Sequence, residues 1–214
     1  MKIVKMSSEI TMITAGGGQA LLKHLENCGR VCYQSSHKVT DISAPGFVRA
    51  LIKSGHESVI EHSSMSVRFI VSRRISHALV RHRLCSFSQE SSQYTNYDQD
   101  RFGNQITVIE PFNIKPGAPA YRTWESAIQH AEIAYLELIR QQFRPEDAAN
   151  VLPHSTKTEL VISANMREWR LVFKQRALRS TGRDSGEMEV LMQGLLQQAK
   201  LAIPVVFDDL IVCS

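Results

Sequence analysis

In its first half the chain reads Arg81-His82-Arg83, then seven residues, then Ser91. The positions before it follow the spacing of one helix face, i, i+3, i+4 and i+7: Ile75, Ala78, Leu79 and His82. This spacing predicts a helix that carries His82 on its apolar stripe, with Arg81 and Arg83 about 100° to either side. Because arginine presents a planar fork of donors that suits phosphate, the stretch predicts a site for an anionic ligand such as a nucleotide. The alternative is a helix that ends in solvated cations around a core histidine.

The patterns on either side predict strands and helices that do not alternate regularly. Strand patterns fall in residues 1–13, 65–72, 106–109 and 158–164, and helical patterns in residues 20–33, 46–53, 121–142, 166–178 and 187–201. The glycine triplet at residues 16–18 lacks the Gly-Lys-Ser/Thr ending of a phosphate loop, so we expect a plain turn. No linker is long enough to divide the chain. We therefore predict an α+β fold with a mainly antiparallel sheet, rather than a doubly wound sheet, in a single domain of residues 1–214.

Further segments carry charged and polar residues in a recognisable order. Residues 55–62 read Gly-His-Glu-Ser-Val-Ile-Glu-His, residues 165–170 read Asn-Met-Arg-Glu-Trp-Arg, and residues 173–176 read Phe-Lys-Gln-Arg. Together with the Arg-His-Arg stretch, they closely resemble the ordered motifs of the flavin-dependent thymidylate synthases. Residues 156–159 and 205–209 resemble the same family, so that the resemblance spans roughly residues 20–210. Several ordered motifs are far more specific than any one of them.

The resemblance implies a twisted sheet flanked by helices, and a homotetramer with active sites between subunits. It implies a methyltransferase that converts dUMP to dTMP by reductive methylation at C5. Methylenetetrahydrofolate would supply the carbon and NADPH the reducing equivalents, which pass through FAD, so the protein's part is binding, orientation and electrostatics. The resemblance implies no metal. FAD in this family is not held by a Gly-x-Gly-x-x-Gly turn, in agreement with the absence of that pattern from the sequence.

Carried over position by position, the resemblance implies roles for individual residues. Flavin contacts are expected from His56, Ser58, Glu61, Arg81, His82, Arg83, Ser88, Asn165 and Arg167. Nucleotide contacts are expected from Ala78, Arg81, Gln89, Glu90, Ser91, Ser92, Gln93 and Arg176. Arg176 is also the expected catalytic residue, because a guanidinium stabilises negative charge developing on uracil without itself titrating. Single residues have structural alternatives: Asn165 as a helix N-cap, Arg167 paired with Glu159 or Glu168, and Cys85 as an inert, packed thiol.

The chain departs from the family pattern on the nucleotide side. Gln93 and Ala149 stand where the family has arginines that help to hold the nucleotide, chiefly its phosphate. Since hydrogen bonds to charged groups contribute ~1.5–3 kcal/mol each, their loss is substantial unless other cations compensate. Candidates for that compensation are Arg144, Arg179 and Arg183. The stretch after Arg176 is also a few residues longer than in the family pattern and lacks the flavin-contacting histidine that the family often has there. The alternative is a divergent paralogue that acts on a different uracil nucleotide, or a flavin-binding homologue with weakened dUMP binding.

The overall charge and the cysteines limit the classes of protein to which the chain could belong. A net charge of +4 suits an anionic small molecule, whereas a nucleic-acid-binding module needs a contiguous basic face. Acidic residues interrupt any such face around the motif: Glu57, Glu61, Glu90, Asp98 and Asp100. The four cysteines show neither zinc spacing nor Cys-x-x-Cys, which indicates reduced thiols in a cytoplasmic protein. The sequence shows no signal-peptide pattern at its start, and no apolar run approaches the ~20 residues that span a bilayer.

Overall fold

The computed structural model describes residues 1–179 and 186–212. Its strands are β1 (Lys2–Val4), β2 (Ser7–Ile13), β3 (Ser64–Ser72), β4 (Ser86–Gln89), β5 (Thr107–Ile109) and β6 (Lys157–Asn165). Its helices are α1 (Gly18–Val31), α2 (Ser43–Lys53), α3 (Arg73–Leu79), α4 (Pro119–Arg140), α5 (Pro145–Ala148), α6 (Met166–Arg176) and α7 (Gly186–Ala202). Short 3₁₀ segments join them, including Glu57–His62 before β3. Among the described residues, no helix combines the length and the apolar character needed to cross a bilayer.

The main sheet has four strands in the order β2-β3-β6-β4. The sheet is mainly antiparallel and combines with helices, which confirms the predicted α+β fold. β6 buries every second residue, as a strand with one face against a core does. β3 is buried along most of its length, in keeping with its inner place in the sheet. β1 pairs in parallel with β5, so that Lys2 lies opposite Thr107 and Val4 opposite Ile109.

The chain divides into two compact units. Unit 1 comprises Met1–Ser7, Phe69–Arg81 and Ser88–Leu160, and unit 2 comprises Ser8–Arg68, His82–Phe87 and the described part of residues 161–214. Both units draw on several separate stretches of the chain. A single domain of residues 1–214 therefore stays a prediction.

The core of unit 1 contains Tyr97, Ile106, Val108, Ile128, Tyr135 and Ala148. Two of these residues, Ile128 and Tyr135, lie on the apolar stripe of α4, and Trp124 and Leu138 of the same stripe pack against the cluster. The Tyr97 amide donates a hydrogen bond of 3.2 Å to the Tyr135 hydroxyl, so the buried phenol has a partner. Packing of α4 on this cluster therefore follows from its helical periodicity.

The core of unit 2 includes Leu21, Leu22, Leu25, Trp169, Phe173, Leu195 and Phe207. Trp169 lies on α6, and its indole Nε1 donates a 2.8 Å hydrogen bond to the main-chain oxygen of Met65 on β3. Phe173, one turn further along α6, packs edge-on against Phe207. These contacts fix α6, which carries most of one predicted motif.

Arg170 is a buried cation of unit 2, and each of its three guanidinium nitrogens donates a hydrogen bond. Its side chain is 2% exposed, and Nε donates to Glu57 at 3.0 Å. Nη1 and Nη2 each donate to Asp209 at 2.7 Å, and Nη1 also donates to the Val206 carbonyl. A guanidinium tolerates burial when its donors are satisfied in this way. Arg170, which belongs to the Asn-Met-Arg-Glu-Trp-Arg motif, is therefore structural and anchors the C-terminal segment.

The helix predicted through the Arg-His-Arg stretch is shorter than expected. α3 begins after Ser72, whose hydroxyl accepts from the Ile75 amide at 3.3 Å, and it ends at Leu79. His82 therefore lies in a turn, closed by a 3.0 Å bond from the Cys85 amide to the His82 carbonyl. The chain turns here because the next residues enter β4, a strand that the sequence did not predict. β4 is a polar edge strand of the sheet and lacks the apolar alternation that marks a half-buried strand.

The other predicted strands and helices are present, with ends shifted by at most three residues, except in residues 1–13. That stretch forms two strands, β1 and β2, which belong to different sheets, rather than one. The glycine triplet forms a turn, as expected, between a 3₁₀ segment and α1. Gly17 has a φ of 77°, and a Cβ there would lie 2.7 Å from the Ala202 carbonyl oxygen. Glycine is therefore required at this position by both backbone angle and space.

Candidate functional site

Three polar side chains of unit 2 form a cluster that we call the Arg176 cluster. It consists of two predicted site residues, Arg176 and His82, and a buried neighbour, Glu168. Arg176 is the last residue of α6, and its Nε donates a 3.1 Å hydrogen bond to Nε2 of His82. The other ring nitrogen, Nδ1, lies 3.9 Å from Oε1 of Glu168. The side chains of His82 and Glu168 are 7% and 5% exposed. The sequence predicted Arg176 and His82 as site residues but gave no sign that they touch.

Burial governs the acid–base behaviour around this cluster. Burial raises the pKa of the Glu168 carboxyl above its ordinary value. Cys85 lies close by, and burial, with a smaller contribution from the Glu168 charge, raises the pKa of its thiol to about 12. Because this pKa lies far above 7, Cys85 stays protonated at neutral pH. The thiolate is the reactive form of cysteine, so a protonated Cys85 is a poor nucleophile. The interpretation of Cys85 as an inert thiol rather than a nucleophile is thereby supported.

A cleft of about 670 Å³ opens in unit 2 beside the cluster. It is lined by Glu57, Glu61, Leu84, Asn165, Arg167, Glu168, Leu171 and Lys174. Three of these, Glu61, Asn165 and Arg167, are predicted flavin contacts drawn from two separate motifs. Leu84 and Leu171 are 79% and 42% exposed and give the cleft an apolar surface. The volume lies within the ~300–1,000 Å³ typical of small-molecule and cofactor sites.

Ion pairs organise the polar side of the cleft. Arg167 donates a 2.5 Å hydrogen bond to Glu61, which raises the pKa of the guanidinium. The expected structural partners of Arg167, Glu159 or Glu168, were therefore wrong. Asn165 caps α6 by accepting a 2.8 Å bond from the Glu168 amide through Oδ1. The structural interpretation of Asn165 is thus confirmed, and the residue also lines the cleft.

The remaining predicted flavin contacts are exposed, and they lie on turns, a 3₁₀ segment and an edge strand. His56 precedes the 3₁₀ segment Glu57–His62, and Ser58 lies within it. Arg83 is exposed in the turn that follows His82, and within the described residues its guanidinium makes no ion pair. Arg81 is likewise exposed, in the turn that follows α3, and it belongs to unit 1. Ser88 is exposed on β4.

Gln89 and Glu90, two predicted nucleotide contacts, take part in a polar network of unit 1. Gln89 donates from Nε2 to the hydroxyls of Ser76 and Thr158, at 3.0 and 3.3 Å. With both of its N–H groups used, the amide's remaining capacity is that of an acceptor. Glu90 accepts from the Tyr97 hydroxyl at 3.0 Å and from Lys157 at 3.0 Å. The carboxylate of Glu90 is therefore held in place by its neighbours.

The rest of the predicted nucleotide set offers hydroxyl groups but little charge. The Ser91 hydroxyl accepts a 3.1 Å hydrogen bond from the main-chain N–H of Gln93. Ser92 is half-buried, whereas Gln93 is exposed. Ala78 lies half-buried on α3 and offers no polar side-chain atom. Ala149 follows α5 in a 3₁₀ segment.

The arginines proposed to compensate differ in their surroundings. Arg144 is 79% exposed and lies 3.4 Å from Glu146, a pairing that solvent weakens. Arg179 pairs with Glu189. Arg183 lies outside the described residues, as does the rest of the segment 180–185. Of the three, Arg144 is the described cation with the most accessible guanidinium.

Sequence reasoning missed a half-buried cation of unit 1, Arg73. Nη2 of Arg73 is buried and, among the described residues, has no hydrogen-bond partner. The same guanidinium interacts with the hydroxyl of Tyr97, whose pKa is raised by burial and by the Glu90 charge. The pair Arg73-Arg74 directly after a strand pattern was the available signal. Its burial depends on tertiary packing, which the local pattern does not report.

Comparison with known proteins identifies the family of this protein. Residues 20–205 match the family model described as thymidylate synthase complementing protein, and the chain belongs to this family. It is 30% identical over 204 residues to a flavin-dependent thymidylate synthase of Geobacter sulfurreducens, covering 89% of this chain and 85% of that protein. It is 33% identical over 213 residues to a flavin-dependent thymidylate synthase of Mycolicibacterium vanbaalenii, covering 91% and 80%. The resemblance inferred from the motifs is thereby confirmed.

A solved structure shares the fold. The UMP/dUMP methylase PolB from Streptomyces cacaoi, bound with 5-Br dUMP, superposes with a TM-score of 0.80 at 21% sequence identity. The match covers 97% of this chain and 96% of that one. At this identity, the likeness establishes the common architecture.

Proposed function

We propose that this protein is a flavin-dependent thymidylate synthase that methylates dUMP at C5 to give dTMP. Methylenetetrahydrofolate would supply the carbon and NADPH the reducing equivalents. The observation that carries the proposal is the cleft of unit 2, which Glu61 lines together with Asn165 and Arg167 from a motif some hundred positions away. The family to which the chain belongs, and the flavin-dependent thymidylate synthases to which it is similar, support the same reaction.

The residues of the cleft fit an FAD cofactor. Exposed leucine side chains, Leu84 and Leu171, suit the flat apolar faces of a flavin ring. The amide of Asn165 and the guanidinium of Arg167 supply donors for its polar edge. Exposed Arg83 supplies a cation for a diphosphate. When bound, the flavin would supply the hydride chemistry that amino-acid side chains lack.

The chain's own residues would bind and polarise the nucleotide. Arg176 would stabilise the negative charge that develops on the uracil ring, because a guanidinium remains charged throughout the reaction. Gln89 would accept a hydrogen bond, since its N–H groups are engaged by Ser76 and Thr158. The hydroxyls of Ser91 and Ser92 would bind the sugar or the phosphate. With Gln93 and Ala149 in place of arginines, the phosphate would have fewer charge-assisted contacts.

The proposed assembly is a homotetramer with its active sites between subunits. Family membership supports it, and so does Leu84, whose exposure of 79% at the cleft suits a contact with another molecule. A cytoplasmic enzyme with reduced thiols remains the expectation.

A titration of the flavin-loaded protein tests the substrate. Adding dUMP, UMP and deoxyuridine separately, and following flavin absorbance, gives three dissociation constants. We expect dUMP to bind most tightly and deoxyuridine, which lacks the phosphate, most weakly. Tight binding of UMP with no response to dUMP would contradict the proposal and favour the divergent paralogue. A protein that binds no flavin at all would contradict both.

A further inference from the structure

A second cavity, of about 520 Å³, opens on unit 1. Every residue that lines it belongs to this unit, and none of them lines the cleft of unit 2. Its charged lining consists of four cations and one carboxylate: Lys2, Lys5, Arg101, Lys157 and Glu159. Lys157 is already engaged, by Glu159 at 2.6 Å and by Glu90 at 3.0 Å. The charge that the cavity offers to a ligand is therefore that of Lys2, Lys5 and Arg101.

These three cations are gathered on one concave surface without acidic partners. All three are exposed, and in the described part of the chain no carboxylate oxygen lies within ion-pair distance of their side-chain nitrogens. Soluble proteins usually intersperse charges of both signs over their surfaces. A cleft lined by one sign of charge concentrates the field and attracts ions of the opposite sign. The cavity is therefore suited to an anion with more than one negative charge.

The surrounding fold holds two of the cations in place. Lys2 lies on β1, where its main-chain N–H donates a 2.9 Å hydrogen bond to the Ile106 carbonyl. The guanidinium carbon of Arg101 lies 4.7 Å from the centre of the Phe102 ring, and Phe102 packs edge-on against the buried ring of Tyr97. A cation that is anchored before binding loses less conformational freedom when a ligand arrives.

We propose that this cavity, which we call the Lys2 cavity, binds a phosphate-bearing small molecule. Lysine binds phosphate as a point charge, and the planar fork of arginine matches phosphate oxygens. The Gln105 amide and the Thr107 hydroxyl also line the cavity and add uncharged hydrogen-bonding groups. Its volume lies within the ~300–1,000 Å³ typical of small-molecule sites. The inference goes beyond the proposed function and does not depend on dTMP formation.

A calorimetric titration with inorganic pyrophosphate tests the Lys2 cavity. The flavin-loaded protein is first saturated with dUMP, so that pyrophosphate does not occupy the place of the nucleotide phosphate. We expect one pyrophosphate per chain, with a Kd below about 1 mM. The triple variant Lys2→Gln, Lys5→Gln and Arg101→Gln should weaken binding at least tenfold, because charge-assisted contacts are lost. Thermal melting checks that this variant stays folded, as expected for exposed substitutions.

A second triple variant controls for net charge. Lys115→Gln, Arg122→Gln and Arg140→Gln remove three exposed cations of unit 1 that do not line the cavity. The Kd for pyrophosphate should then rise less than about threefold. Equal weakening in the two variants would overturn the inference, since binding would follow net charge alone. No binding by the unaltered protein would also overturn it, and so would equally tight binding of tricarballylate, which carries carboxylates in place of phosphate.

Two further probes separate the possible sources of the phosphate. NADP⁺ carries one phosphate more than NAD⁺, and neither reduces the flavin. Competition with pyrophosphate by NADP⁺ at least tenfold stronger than by NAD⁺ would support the site and identify the reductant as its ligand. No competition by either would support a site for another phosphorylated compound. Pyrophosphate that binds only without dUMP would overturn a separate site. If the protein bound no dUMP, the proposed function would fail, and the two triple variants would still decide this inference.

Discussion

Nη1 of Arg167 lies 2.5 Å from Oε1 of Glu61, although 106 positions separate the two residues in the chain. Each was predicted from a different motif as a flavin contact. Their ion pair places both motifs on one cleft of unit 2. This meeting of distant motifs supports the assignment of the cleft to the cofactor.

Arg81 is expected to contribute to flavin binding. Arg81→Ala should lower the flavin retained by the purified protein at least tenfold, because an accessible guanidinium is lost from a diphosphate-binding stretch. Flavin absorbance relative to protein measures the effect. Arg122→Ala, which removes an exposed arginine of α4, is the control and should retain full flavin. Full flavin in a folded Arg81→Ala variant would contradict this role.

Arg176→Lys should abolish most turnover while preserving the fold. Lysine keeps the charge but loses the planar fork and the Nε donor that contacts His82. We expect kcat to fall roughly 100-fold or more, in line with the loss of one preorganised donor. Thermal melting should change by only a few degrees, about that of Arg140→Lys on the exposed end of α4. Unchanged turnover would remove Arg176 from the mechanism.

The phosphate contacts can be tested by restoring the missing arginines. The pair Gln93→Arg and Ala149→Arg should tighten dUMP at least tenfold, or ~1.4 kcal/mol, because charge-assisted bonds are added. Deoxyuridine serves as the matched ligand without a phosphate, and its affinity should stay the same. If dUMP affinity does not change either, other cations already fill the role. Arg144→Ala would then test whether the most exposed described candidate fills it.

Asp209 is expected to stabilise the fold in a pH-dependent way. Its hydrogen bonds from Arg170 lower its pKa below the usual value. A carboxyl whose pKa is lower in the folded state stabilises the fold above its unfolded pKa and loses that effect as pH falls through the folded pKa. Asp209 is itself 49% exposed, so solvent screens part of the effect, but its partner Arg170 is only 2% exposed. Asp209→Asn should therefore cost only about 1 kcal/mol near pH 7, with the difference from the unaltered protein shrinking below about pH 4.

The neighbouring Asp208 provides the control for this prediction. Its side chain is 49% exposed and lies 3.9 Å from Arg49, which is 61% exposed. Asp208→Asn should change the free energy of unfolding by less than about 0.5 kcal/mol at each pH. Urea denaturation from pH 7 to 3.5 measures both variants. Equal effects of the two substitutions would contradict a specific role for the Arg170–Asp209 pair.

The sequence predicted the elements whose periodicity reports burial. The apolar stripe predicted for α4 is buried in the structure, where Ile128 and Tyr135 belong to the core of unit 1. The alternation in residues 158–164 appeared in β6, which buries every second residue. Asn165 also acted as the expected N-cap, since capping depends on residues only three positions apart.

Features that depend on tertiary contacts were not predicted. His82 continues a helical spacing in the sequence, yet α3 ends at Leu79 because the chain turns to enter β4. The contact between His82 and Arg176 joins residues 94 positions apart, which no local period encodes. The burial of Arg73 Nη2 likewise arises from packing around a polar side chain.

The most direct test of the account is dTMP formation by the purified protein from dUMP, methylenetetrahydrofolate and NADPH, measured with and without bound FAD. The account predicts dTMP only when the flavin and all three substrates are present. Omitting any one of them should reduce the product to background. A folded, flavin-loaded protein that forms no dTMP, or a flavin-free protein that forms as much, would contradict it.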